Sequence, residues 1–331
     1  MNFCRRPFFT LQLNNKGDAR TCCGAWISRK IGDWRRQTLD EIWTGKAAQE
    51  VRQSIVDGRF TWCNREWCEV LQNPNHALRN TDGFEANVVN PPLTRISLNI
   101  EGACNLACPF CRHSFMKGQP IPDDHPMMRL SREVVERFNT TNGVTIVLVG
   151  AGEPMMQRTS AYILNSIKRT DANGNNRIHL VTNGTLLARR WPKFVNAREF
   201  RRVCTIATDA GTKETYEINR RGGKWHDLMQ GISFAVSEFD HVSLTYIVQA
   251  NNYKEAPRLV RIAEDFGCDA VQFCKLINRG TFTDQEYRKR AVHFKDHPEH
   301  EEFLAVFRDL KSYSVRVDLR NLTGTVKGCS A

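Results

Sequence analysis

The stretch that most constrains this chain is Ser97-Leu-Asn-Ile-Glu-Gly-Ala-Cys104-Asn-Leu-Ala-Cys108-Pro-Phe-Cys111-Arg-His113, with three and then two residues between successive cysteines. A short apolar run that reads as a strand leads into it. Thiolates select iron–sulfur clusters, zinc or copper, and a loop this tight can wrap three of them around one centre. Two readings fit the spacing. Structural zinc would take His113 as its fourth ligand, completing a three-cysteine, one-histidine tetrahedron. A four-iron cluster held by three cysteines would keep one iron without a protein ligand, open to a small molecule.

The chain has 331 residues and 12 cysteines. The start, Met1 to Phe9, has no signal-peptide apolar core, and no apolar run approaches the roughly 20 residues that span a bilayer. A cytoplasmic protein without a membrane segment is therefore expected, and thiols there serve metal or redox chemistry before disulfides. The formal charge of +11 would draw an acidic partner such as an anionic peptide, a phosphorylated substrate or RNA. The arginine doublets are scattered and lack aromatic interleaving, which reads as solvated faces and argues against nucleic acid.

Five cysteines (Cys4, Cys22, Cys23, Cys63 and Cys68) fall within residues 1–70. Phe8 to Leu13 reads as a strand, Asn14 to Asp18 as a turn and Ala19 to Cys23 as the returning strand. A helix is expected from Thr38 to about Asp57, with Thr38 and Glu41 as a capping box and Gly58 at its stop. So small a segment buries little surface, and Cys4, Cys22 or Cys23, Cys63 and Cys68 could staple it through zinc or a fully ligated iron–sulfur cluster. Residues 71–92, rich in Asn and Pro, read as a linker.

From Leu93 strand-like and helix-like segments alternate, the pattern of a parallel α/β fold. Strands are expected at residues 95–99, 145–149, 177–181, 203–207, 242–248 and 270–274, with helices over 132–139, 160–170, 224–239 and 255–266, and a further strand at 316–319. Gly150-Ala151-Gly152-Glu153-Pro154 follows the second strand, Thr182-Asn183-Gly184 the third, and Ala207-Thr208-Asp209 with Tyr216 to Arg220-Arg221-Gly222-Gly223 the fourth. Gln249 and Asn251 follow the fifth as candidate polar contacts, and Cys274 ends the sixth.

In this order the motifs resemble those of radical SAM enzymes: CxxxCxxC, GGEP with Ala151 for one glycine, TNG, and SxDG…YxxxRG with Ala207 for the usual serine. The resemblance implies an open, partial (β/α)6 barrel over residues 93–331. It implies a [4Fe-4S] cluster on Cys104, Cys108 and Cys111, with S-adenosylmethionine (SAM) on the open iron. Gly150, Ala151, Gly152 and Glu153 would then hold the methionyl amino group, Asp209 would lie near the ribose, Arg220 would pair with the carboxylate, and Asn183 would lie near substrate or cofactor. Residues 1–70 are similar to the SPASM/twitch auxiliary domains, through the hairpin, Leu39-Asp-Glu-Ile-Trp43, Val51-Arg52 and the closing Cys63 and Cys68. That domain usually follows the barrel, and here it precedes it.

The chemistry so implied is reductive cleavage of SAM to a 5′-deoxyadenosyl radical that abstracts a substrate hydrogen atom, with an electron donor such as flavodoxin or ferredoxin. Peptide or protein side-chain maturation by oxidation, cross-linking or epimerisation is the expected outcome. A small-molecule dehydrogenase or epimerase, of an aminoglycoside for example, is the alternative, and a non-catalytic zinc-stapled RNA-binding module is the reading from another class. Cys274 is a candidate hydrogen-atom donor, and Cys329 a second. Residue spacing does not choose between Cys22 and Cys23.

Overall fold

Alternation of apolar residues in Thr10–Asn14 (β1), a tight turn and the short return Asp18–Arg20 (β2) build the expected hairpin, with Gln12 opposite Arg20 and Leu13 opposite Ala19. Asn14 makes the turn, its side-chain oxygen accepting from the Lys16 and Asp18 amides at 2.9 and 3.0 Å. Gly32–Asp33 (β3) pairs antiparallel beside β2. The structure, a computed structural model, describes residues 3–73 and 75–326, so Cys329 lies outside the described residues. The chain packs as two units, Met1–Ala103 with Gly118–Leu180 and Phe194–Arg202, and Cys104–Lys117 with Val181–Lys193 and Val203–Ala331.

In the first unit the single expected helix is two, Leu39–Thr44 (α1) and Lys46–Val56 (α2), divided at Gly45 in extended backbone. The Thr38–Glu41 capping box is present. A continuous helix would commit the Trp43 carbonyl to the amide four residues on. Instead that carbonyl accepts from Arg52 at 2.9 Å, and the guanidinium lies 4.1 Å from the centroid of the Trp43 ring. Arg52 is fully buried and also donates to the Pro7 and Val88 carbonyls at 3.0 Å each. One arginine thus gathers three backbone segments. The short helix Glu69–Gln72 (α3) follows Cys68.

Arg95–Asn99 (β4) runs parallel to β1 in continuous register, from Thr10 beside Arg95 to Asn14 beside Asn99. The sequence did not announce this pairing. Pro126–Thr140 (α4), Thr145–Leu148 (β5), Arg158–Ser166 (α5) and Arg177–Thr182 (β6) continue the alternation. The strand order here is β6-β5-β4-β1-β2-β3.

The second unit carries Leu187–Arg190 (α6), most of Arg201–Ala207 (β7), Lys213–Asn219 (α7), Trp225–Glu238 (α8), His241–Val248 (β8) and Ala256–Phe266 (α9). Gly267, at φ 77°, ends α9 in the left-handed conformation that glycine adopts without penalty. Ala270–Lys275 (β9), Asp284–Arg290 (α10), His300–Arg308 (α11) and Arg316–Asp318 (β10) complete it. Strands β7, β8, β9 and β10 are neighbours in that order and all parallel. Helix α10, Asp-Gln-Glu-Tyr-Arg-Lys-Arg, buries none of its residues, so periodicity could not reveal it. No helix of the described residues is long and apolar enough to cross a membrane.

Replacing Arg52 by Ala leaves three carbonyls without their charged donor, and hydrogen bonds to charged groups contribute about 1.5–3 kcal/mol each. We expect Arg52→Ala to lower unfolding stability by at least about 3 kcal/mol, read from the midpoint of urea unfolding. Unchanged stability would show that water replaces the guanidinium.

Candidate active site

The cysteine loop belongs to the second unit and is fixed by its apolar residues. Leu106 and Phe110 are buried with Cys108 and Leu276, and Cys104, Ile247, Phe282 and Tyr287 pack against them. The Cys104 amide donates to Met116 O at 2.9 Å, and the Ala107 amide to Arg221 O at 2.9 Å. The Cys111 and Arg112 amides both reach Cys108 O, which turns the chain between the last two cysteines. Cys108 is buried, Cys104 intermediate and Cys111 exposed.

Behind this loop stands a buried ionic group. Arg220 ion-pairs with Asp209, its Nη1 lies 3.7 Å from Cys108 Sγ, and its guanidinium lies 5.6 Å from the Phe110 ring centroid. Asp209 sits at φ 55°, a left-handed conformation that aspartate tolerates better than most residues. That conformation is fixed from two sides: the Ile247 amide donates to its carboxylate at 2.6 Å, and Asn219 and Asn252 donate to its carbonyl at 2.9 and 3.0 Å. Burial pushes the Asp209 carboxyl and the Cys108 thiol above their ordinary values, and Arg220 opposes both shifts. Asp209, expected near a ribose, is here the partner of Arg220.

In the first unit, a side chain at Gly152 would bring its Cβ to 2.1 Å from Ala103 O, and one at Gly150 to 1.8 Å from Gly152 O. The Gly150–Glu153 turn therefore lies directly on the backbone that enters Cys104, and the Glu153 amide donates to Ala103 O at 2.7 Å. Glu153 is buried and accepts from the Met155 amide at 3.1 Å. Glu101, unremarked in the sequence, braces the same backbone by accepting from the amides of Arg158 and Thr159 and from the Thr159 hydroxyl.

Asn183 donates to Asn105 Oδ1 at 2.9 Å, and Asn105 donates to Thr185 Oγ1 at 2.9 Å. It positions the residue after Cys104. Cys274 pairs in register with Ile247, one of the residues packed on the cysteine loop. Residues in register share a face of the sheet, so Cys274 faces the same way. Gln249 is 1% exposed, and neither end of its amide has a hydrogen-bond partner. Asn251 is instead spent on Asn219, at 2.8 Å.

The second cysteine set lies in the first unit. Cys4 and Cys68 share a buried apolar group with Phe3, Phe8, Ile55, Phe60 and Val70, and Cys63 and Trp26 pack against it. Burial raises the thiols, Cys4 to about 11 and Cys63 to about 12. Cys22 is also buried and feels Cys4 and Cys68 electrostatically, whereas Cys23 is partly exposed. Of the two adjacent cysteines, Cys22 is the buried one and Cys23 the partly exposed one.

A model of the radical SAM superfamily matches residues 98–263, and a model of the SPASM iron–sulfur cluster-binding domain matches residues 4–69. The chain belongs to the radical SAM superfamily. It is an enzyme of the α/β, partial-barrel radical SAM fold class with an N-terminal auxiliary-cluster domain, and the non-catalytic zinc module is set aside. Among curated proteins it is similar to the GTP 3′,8-cyclases of Xanthomonas axonopodis pv. citri (34% identity, covering 48% of this chain and 47% of that one) and Paracoccus denitrificans (25%, covering 64% and 62%). The chain thus spans about half to two thirds of those relatives' lengths. Among solved structures it is similar to anSMEcpe with bound AdoMet (TM-score 0.45, 19% identity, covering 69% of this chain and 64% of that one) and to Streptococcus suis SuiB bound to S-adenosylmethionine (TM-score 0.48, 14%, covering 86% and 64%).

The radical SAM cofactors, a SAM-binding [4Fe-4S] cluster with SAM and an auxiliary iron–sulfur cluster, suit the donors present. Three thiols with an arginine N–H at one sulfur match a cluster that needs three protein ligands. The orphaned Gln249 amide and the unpartnered hydroxyl of buried Tyr216 are groups that a bound ligand would satisfy. Asn105 was missed in the sequence, because only folding brings it to Asn183.

The glycine turn yields a sharp test. Gly152→Ala should weaken SAM binding at least about tenfold, measured by equilibrium dialysis on the iron-loaded protein, with iron content unchanged. Unaltered affinity would show that this turn does not shape the SAM site.

Proposed function

We propose that this radical SAM enzyme oxidises or cross-links side chains of a peptide or protein. The observation that carries the reading is the match of residues 4–69, which hold Cys4, Cys22, Cys63 and Cys68, to the iron–sulfur cluster-binding SPASM domain in the same chain as the Cys104 loop. When bound, the reduced SAM-site cluster supplies an electron to SAM and so a 5′-deoxyadenosyl radical, which removes a hydrogen atom from the substrate. An auxiliary iron–sulfur cluster held by the first cysteine set would give the substrate-derived electron a destination, which favours net oxidation. The +11 charge favours an acidic peptide over a neutral small molecule.

Each residue has a task in this scheme. Cys104, Cys108 and Cys111 hold the SAM-site cluster; Arg220, fixed by Asp209, neutralises charge beside Cys108 and meets the SAM carboxylate. Gly150, Ala151, Gly152 and Glu153 shape the amino-group site, and Asn183 holds the loop through Asn105. A flavodoxin- or ferredoxin-type donor would supply the electron, in the cytoplasm, where thiols stay reduced.

A small-molecule substrate is the second reading, favoured by the similarity to GTP 3′,8-cyclases, whose name specifies a nucleotide. Cys274 favours a redox-neutral branch, because its register places a thiol on the face that packs against the cysteine loop. Hydrogen-atom donation from that thiol would convert oxidation into epimerisation.

Iron counting after anaerobic reconstitution separates the two cysteine sets. Wild type should hold about eight irons per chain, and the Cys104/Cys108/Cys111→Ala variant about four with no 5′-deoxyadenosine formed. About four irons in wild type and none in the variant would remove the electron acceptor from the scheme. Solvent deuterium in an unoxidised product, abolished by Cys274→Ala, would establish the epimerase branch instead.

A further inference from the structure

Arg6 is a cation of the first unit set beside the first cysteine set. Its side chain is 17% exposed, its Nη2 pairs with Glu69 Oε1 at 2.8 Å, and its guanidinium lies 4.9 Å from the Trp26 ring centroid. Trp26 packs on the group containing Cys4, Cys63 and Cys68, and Glu69 follows Cys68 directly. The Arg6 backbone and charge both oppose the burial that raises the Cys4 thiol. A surface salt bridge would need none of this.

The pair is not electrically neutral as the cysteines feel it. The charge of Arg6 acts on Cys4, Cys22 and Cys68, and at Cys68 it outweighs the opposing charge of Glu69, while Arg65 acts in the same sense on Cys63. Arg79 adds only a weaker effect at Cys4. A cluster gains one negative charge on reduction, and its potential follows net charge, hydrogen bonds to sulfur and solvent exposure. A half-shielded cation in a low-dielectric wall favours the more negative state.

We propose that Arg6 raises the reduction potential of the cluster held by Cys4, Cys22, Cys63 and Cys68, and so biases that site towards accepting an electron. This rests on the assignment of a cluster to those four cysteines. The reduction would be a one-electron step: the substrate radical would lose an electron to the iron–sulfur cluster held by the four thiolates beside Arg6, and a proton to solvent. Glu69 both holds the guanidinium and moderates its effect.

The test uses the full chain with Cys104, Cys108 and Cys111 replaced by Ala, loaded with iron and sulfide, so that only the first cysteine set reports. Its midpoint potential is followed by electron paramagnetic resonance during redox titration. Arg6→Gln should lower the potential by about 59 mV or more, a tenfold change in a one-electron equilibrium constant. Arg6→Lys should stay near the parent value, and Glu69→Gln should raise it. An unshifted potential in iron-replete Arg6→Gln would overturn the proposal. If Arg6→Gln fails to retain iron, a potential in Glu69→Gln that is unchanged or lower overturns it equally. Failure of the underlying assignment looks different, because the parent itself would then bind no iron.

Discussion

The register between β1 and β4 is the constraint on which the organisation of this chain depends. Leu11 stands beside Ile96 and Leu13 beside Leu98, all four buried. A slip of one residue would turn this apolar set to the opposite face, so the pairing has one stable alignment. The hairpin that carries Cys22 is thereby joined to the strand that leads, through Ala103, into Cys104. Strand pairing is indifferent to whether a domain precedes or follows its neighbour in the chain. An auxiliary domain at the amino terminus therefore needs no linker to hold it. Its first strand is part of the sheet.

Much of this was legible in advance, for reasons that differ by element. The barrel strands are aliphatic runs bounded by turn residues, and each formed within two residues of its expected ends. The Thr38 cap, the Gly267 stop and the motif loops were equally plain, because each depends on neighbours in the chain. The break at Gly45 was not, since it exists to let Arg52 reach Trp43 O, a contact formed only on folding. The β1–β4 ladder spans some eighty residues of chain and has no local signature. Helix α10 escaped because it has no buried face.

The candidate site divides in the same way. The cysteines and glycines announce themselves, since their chemistry or lack of a side chain is the signal. The braces around them do not. Glu101 reads as an ordinary acidic residue until its carboxylate is seen on the Arg158 and Thr159 amides. Asn183, expected near substrate or cofactor, donates to Asn105, one residue past Cys104. The same motif residue can thus serve the cofactor by holding the loop that holds it. The difference in burial between Cys22 and Cys23 required the fold, because β2 ends at Arg20 and strand alternation does not reach them.

One arrangement recurs at both cysteine sets. Arg220 contacts a thiol, a carboxylate (Asp209) and an aromatic face (Phe110); Arg6 pairs with Glu69, lies over Trp26 and acts through its charge on Cys4, Cys22 and Cys68. Physical chemistry gives a common cause. Several thiolates buried together are costly unless positive charge is brought to them. Before metal arrives the burial is met differently: burial raises the thiols, and each arginine is paired with a carboxylate. Loading exchanges thiol protons for metal charge, and the arginine, already in place, then faces an anionic site. Its carboxylate prevents an isolated buried cation in the empty protein, and its aromatic neighbour supplies a face that attracts a guanidinium. A lysine would meet the charge requirement without the planar fork that lets one group serve carboxylate and sulfur together. The two arginines therefore reconcile a protein that must fold before its clusters are built with one that must hold them afterwards.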